Sequence, residues 1–146
     1  ESIFTSMRRL GNRARCQRQC RWALYRPGCN LNIEDFYVAG TVTATSGLVL
    51  TIPEASSAPE GDYKAGIVNW NGIFGMVSIH DGNQLTLLSK IHGLAEYVTA
   101  NGSADVLVAP GCNRTGTRCD ERFDNHLNHG GYEKLPEINP FSTSVV

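Results

Sequence analysis

The sequence predicts a mainly β domain, a small antiparallel barrel or sandwich with cysteine-bearing N- and C-terminal loops and an extended C-terminal tail. Three observations predict it. From residue 36 to residue 110, β-branched and aromatic residues alternate with polar ones at a period of two. Short Gly-containing turn signals separate these runs. All five cysteines fall outside this stretch, three before it and two after it.

Each element follows in order. Residues 1–15 are polar and Arg-rich, which suits a loose arm or a short helix. Residues 16–33 mix cysteines with Trp22, Leu24 and Tyr25, and Pro27-Gly28 marks a turn just before Cys29. FYVAGTVTAT and GLVLTIP read as strands with a hairpin turn at Gly47. PEASSAPEGD reads as a polar loop. AGIVNW and GMVSIHDGNQLTLLS read as further strands, with Asp81-Gly82 as a two-residue hairpin signal. EYVTA, Asn101-Gly102 and ADVLVAP read as another strand pair, which makes roughly six strands in all. After Cys119 the chain turns polar; a short helix can begin there, and an extended tail with Pro136 and Pro140 suits packing against another chain.

Composition bounds the function less than local charge does. The net charge of −1 gives no argument for a nucleic-acid or membrane partner. Arg8, Arg9, Arg13, Arg15, Arg18, Arg21 and Arg26 nevertheless crowd the first segment, where Glu1 is the sole acid before Glu34. No stretch is long and apolar enough to span a bilayer as a helix, and no secretory leader is visible. The opening Glu suits a processed product or part of something longer.

The cysteines are spaced Cys16-x3-Cys20-x8-Cys29, then, after 82 intervening residues, Cys112-x6-Cys119. No C-x2-C pair is present; Cys16 and Cys20 can be read as C-x3-C, but the second pair is too open for a usual zinc ribbon. A cubane iron–sulfur cluster accepts thiolates from separated loops and suits this spacing better. Arg18, Arg21, Arg26, Arg114 and Arg118 flank these cysteines and would offset the charge of about −2 on such a cluster. Gly28, Gly111 and Gly116 would let backbone N–H groups approach sulfur. Spacing alone leaves a metal or cluster site, disulfides and inert thiols equally open.

The segments CRWALYRPGC, VAGTVTAT and PGCNRTGTRCDERFDNHLNHGGYEKLPEINPF resemble the phage tail-hub family named after BR0599, with the related DUF2163 proteins. The resemblance runs from Cys20 to Phe141. It extends to the C-terminal part of the L minor tail proteins of lambda-like siphophages and to gene transfer agent hub proteins. It implies a 4Fe–4S cluster held by Cys20, Cys29, Cys112 and Cys119, with zinc on the same cysteines as the alternative. Cys16 falls outside the pattern, as a free thiol or an alternative ligand. Arg26 stands where Gly is common, His129 and Tyr132 stand where Phe is usual, and Glu133-Lys134-Leu135 replace a Pro. These departures bear on the local tail conformation and not on the ligand set.

The resemblance further implies a non-enzymatic structural protein of the virion tail tip, made in the host cytoplasm and acting in tail assembly and genome delivery. Its partners would be other tail-tip proteins, namely hub, distal tail, central fibre and tape measure, within a homotrimeric hub. DNA would pass in transit only, without stable membrane insertion. Family members commonly carry an N-terminal hub domain, which would be absent here or sit on another chain. The expected organisation is an arm over 1–15, a β domain with cluster loops over 16–129 and a tail over 130–146.

Other residue types offer weaker chemistry. His80, His92, His126 and His129 are candidate ligands or acid–base groups, and a Cys-His-Asn nucleophilic site would need Asn125 or Asn128. No peptidase signature surrounds any cysteine. Asn125 and Asn128 read as turn residues before Gly130-Gly131. Trp22 and Tyr25 read as core or cluster-shielding groups, and Trp70 as a strand residue packed on the barrel.

Overall fold

A computed structural model describes residues 17–134. Cys16, the arm 1–15, Pro136, Pro140 and most of the expected tail lie outside the described residues.

Seven strands form one antiparallel sheet: β1 (Val38–Val42), β2 (Ala44–Ser46), β3 (Val49–Thr51), β4 (Ile67–Trp70), β5 (Ile73–Asp81), β6 (Gln84–Leu87) and β7 (Ala104–Ala109). Their spatial order is β1-β7-β4-β5-β6-β3-β2. The two edge strands, β1 and β2, are consecutive in the chain, with Thr43 alone between them. A sheet whose edges are joined by one residue curls into a nearly closed barrel. The β domain expected from sequence is thus present, with one strand more than foreseen.

Alternation explains which faces are inside. In β7, Ala104, Val106 and Val108 are buried while Asp105 and Leu107 face out. Val42, Leu50, Val68, Val77, Leu85 and Leu87 complete the barrel interior. The corner between the two halves of the sheet lies in β5. Ile73–Met76 pair with β4, Val77–Asp81 pair with β6, and a bulge falls between Val77 and Ile79. One extra residue at that point bends the strand so that it serves both halves.

Two turns differ in detail from the sequence reading. β4 and β5 are joined by Asn71-Gly72, both at positive φ, the arrangement that a tight hairpin requires. The β5–β6 loop is Gly82-Asn83, one residue later than the Asp81-Gly82 signal, because Asp81 pairs with Gln84.

EYVTA is not a strand. It lies in helix α1 (Leu94–Asn101), bracketed by Gly93 and Gly102 in the left-handed region. Tyr97, Val98 and Thr99 favour strand locally, yet Leu94 and Val98 stand one helical turn apart and both enter the core. Burial of that pair, with a Gly stop at each end, outweighs propensity. β7 pairs instead with β1 and β4.

The loop 53–62 contains a 3-10 turn, Pro53–Ser57, that packs Ala55 into the core. The second helix, α2 (Gly116–Phe123), starts earlier than the polar composition after Cys119 suggested. Thr115 caps it, its hydroxyl oxygen accepting the Arg118 N–H. Cys119 therefore rides on a helix. A short 3-10 turn, His126–Asn128, follows. No helix among the described residues is long and apolar enough to cross a membrane.

Candidate functional site

β1 and β7 run antiparallel, with Val38 opposite Val108. The chain therefore enters β1 and leaves β7 at the same end of the barrel. The segment 17–37, with Cys20 and Cys29, meets the segment 110–134, with Cys112 and Cys119.

The four cysteines line one cavity of about 320 Å3, walled also by Trp22, Leu31, Ile67, Phe74, Phe123 and His129. Cys20, Cys29 and Cys119 are buried and Cys112 is half-buried, each with a free thiol. Cross-links between the two segments hold this arrangement. Cys20 N–H donates to the Arg114 carbonyl at 2.8 Å, and Tyr25 Oη donates to the Pro110 carbonyl at 2.9 Å. Tyr25, Phe36 and Phe123 pack ring against ring with centroids 5.3–6.3 Å apart. Gly28 and Gly130 lie against the Trp22 indole, and a Cβ at either position would overlap the ring.

Polar groups address the sulfurs. Gly130 N–H donates to Cys20 Sγ at 3.2 Å and Arg114 N–H to Cys112 Sγ at 3.3 Å. Asn125 Nδ2 lies 3.7 Å from Cys29 Sγ, and the Cys119 thiol donates to the Asn125 carbonyl at 3.2 Å. Gly28, Gly111 and Gly116, expected to bring N–H groups to sulfur, serve close packing instead, against Trp22, the Lys64–Gly66 backbone and Glu133. Of the six non-glycine residues at positive φ among those described, Tyr25, Asn30, Arg114 and Asp124 lie in these two segments. Such conformations cost about 1 kcal/mol or more each and persist where surrounding structure enforces them.

Burial raises the Cys112 pKa, with the Arg114 N–H and Arg118 opposing and Cys20 and Cys29 reinforcing the rise. Cys119 is pushed up to about 11, first by burial and then by the neighbouring Cys112, Cys29 and Cys20. Cys112 and Cys119 thus resist ionisation unless a cationic group sits beside them.

Of the arginines named from sequence, Arg114 lines the cavity and Arg21 stacks its guanidinium 4.5 Å from the Trp22 ring centre. The Arg26 carbonyl accepts Cys29 N–H and Asn30 N–H. Arg118 turns to Asp62 at 2.7 Å and to the Gly111 carbonyl, so most of its charge is used there. Arg122 grips both Asp62 oxygens at 3.1–3.3 Å. Asp62 has a side chain only 2% exposed, and its carbonyl also accepts the Gly111 N–H. This cluster, absent from the sequence reading, clamps α2 and the Cys112 segment to the 53–65 loop.

His129 reaches the cavity wall, with Nε2 3.3 Å from the Arg114 carbonyl, while His126 pairs with Glu133 at 3.2 Å. His80 is buried between the Tyr63 N–H and the Gly82 carbonyl, a satisfied core side chain. Among the described residues, no three His, Cys, Asp or Glu side chains are placed to hold a single metal ion. The four cysteines line one mostly apolar cavity. Deprotonated, they would be soft donors with N–H groups directed at sulfur, the donor type that a metal–sulfur group would use.

A family model described as phage conserved hypothetical protein BR0599 matches residues 61–139. The chain belongs to this family. The match includes Cys112, Cys119, α2 and Asn125; Cys20 and Cys29 lie before it. No curated protein matches this BR0599-family chain. Among solved structures, its fold is similar to that of a chain in the virion of a native gene transfer agent particle, with a TM-score of 0.68 and 18% identity. The similarity covers 94% of this chain and 51% of that one, so this chain spans about half of its length.

Proposed function

We propose that this BR0599-family chain is a non-enzymatic structural protein of a siphophage tail tip, whose two terminal segments are stapled by a 4Fe–4S cluster on Cys20, Cys29, Cys112 and Cys119. The observation that carries the reading is the single cavity lined by cysteines from both segments. When bound, such a group supplies metal–thiolate bonds that tie both segments together. The chain itself does the rest. The β1–β7 pairing brings the half-sites into reach, and Gly130 and Arg114 direct N–H groups at Cys20 and Cys112. Closing so long a loop through a metal group favours the folded state strongly. Family membership and the likeness to a virion chain support a place in the particle. Exposed Phe74, Met76, Ile79 and Leu88 give an apolar surface suited to contact with other virion proteins. A homotrimeric hub, with distal tail, central fibre and tape measure as neighbours, remains part of the same proposal.

The test is anaerobic purification followed by iron, sulfide and zinc analysis and a visible absorption spectrum. The expected result is a brown protein with about four iron and four sulfide per chain. A colourless protein with stoichiometric zinc and no iron would overturn it. Cys29→Ala should lose the iron, whereas Cys16→Ala should keep it; iron retained by Cys29→Ala would remove that residue from the ligand set.

A further inference from the structure

Asn125 is bonded to both halves of the site. Its backbone N–H donates to the Cys119 carbonyl at 3.0 Å, and its carbonyl accepts the Cys119 thiol at 3.2 Å. Its side chain crosses to the other half, where Nδ2 donates to the Cys29 carbonyl at 2.7 Å and stands 3.7 Å from Cys29 Sγ. Asn128 Nδ2 donates to Asn125 Oδ1 at 2.7 Å, and Asn128 Oδ1 accepts from Asn30 Nδ2 at 3.4 Å. The residue is 7% exposed. With Oδ1 engaged by a donor, the amide has one orientation, and Nδ2 faces Cys29. A turn residue needs only backbone bonds within its own segment; this amide reaches 96 residues back along the chain.

We propose that Asn125 is the positioning residue of the four-cysteine site: its side chain sets Cys29 against the Cys119 half and directs an N–H at the Cys29 sulfur. This rests on the cluster reading above for its redox consequence. A hydrogen bond to a ligating sulfur draws charge from it and raises the reduction potential of the group it holds. The division of labour is specific. Cys119 is held through the Asn125 backbone, which a side-chain substitution leaves in place, whereas Cys29 is held through the amide.

The test uses Asn125→Ala, Asn125→Asp and the milder Asn128→Ala, which removes the buttress on Asn125 Oδ1 and the contact with Asn30 but leaves the Asn125 amide in place. In metal-free, reduced protein, iodoacetamide alkylation is timed at each cysteine by mass spectrometry. Cys29 should react several-fold faster in the Asn125 variants and less so in Asn128→Ala, with Cys20, Cys112 and Cys119 unchanged. In anaerobically purified protein, the midpoint potential should shift negative and iron affinity should fall about 10–100-fold. Unchanged Cys29 reactivity, or equal acceleration of all four cysteines in every variant, would overturn the proposal. If wild type takes up neither iron nor sulfide, the cluster reading fails, while the alkylation pattern still decides whether Asn125 positions Cys29.

Discussion

Asp62 shows how much one side chain can organise. Burial alone would raise its pKa, but the hydrogen bonds from Arg122 and Arg118, with their charges, outweigh burial and hold the carboxyl below its ordinary value. A carboxyl depressed in the folded state contributes stability above its unfolded value of about 3.9 and loses it as pH falls through the folded value. Thermal melts of wild type should therefore fall away below about pH 4, and Asp62→Asn should flatten that dependence. At neutral pH the same substitution should cost on the order of 2–4 kcal/mol, since both guanidiniums keep some access to solvent. A melt unchanged by Asp62→Asn would reduce the clamp to a surface pair. Nothing around Asp62 in sequence announces this role. Its partners lie 56 and 60 residues away, and DY in a polar loop looks like any other turn.

Helix α2 carries Cys119, so its start matters more than its short length suggests. Thr115 both accepts from Arg118 N–H at 3.2 Å and donates to Asn113 Oδ1 at 2.7 Å. Thr115→Ala should cost about 1 kcal/mol in a denaturant melt. Thr115→Ser should restore most of that loss, and failure to do so would discount the cap. The helix was partly legible in sequence. Its polar body was visible, but Cys119 appeared to precede it, because the TGT start carries the weak signal of a Thr cap and no apolar repeat. The strands were more legible: alternation in β1, β5, β6 and β7 marks their inward faces directly. EYVTA misled because its residue types describe a strand, while the deciding contacts of Leu94 and Val98 are tertiary.

At the scale of the molecule, barrel core and cysteine cavity are separate. The apolar core runs through the strands and α1 and contains none of the four cysteines. Under the proposed cluster reading, stripping iron should accordingly raise amide hydrogen exchange in residues 17–37 and 110–134 and leave the β4–β7 strands protected. Exchange rising equally throughout would mean that core and site unfold together. The sequence named four cysteines, which line one cavity, but spacing could not say how they come to do so. That depends on β1 lying beside β7, a long-range pairing with no local signature. Asn125 was read from sequence as a turn residue alone for the same reason: its backbone bonds are local, and its bond to the Cys29 carbonyl is not.

The Tyr132 N–H donates to the Gln17 carbonyl at 2.8 Å, and the Cys20 N–H donates to the Arg114 carbonyl at 2.8 Å. The two cysteine-bearing segments are therefore sewn together by main-chain hydrogen bonds that no side-chain substitution removes. Opening the cavity means breaking these bonds as well as the contacts among the cysteines.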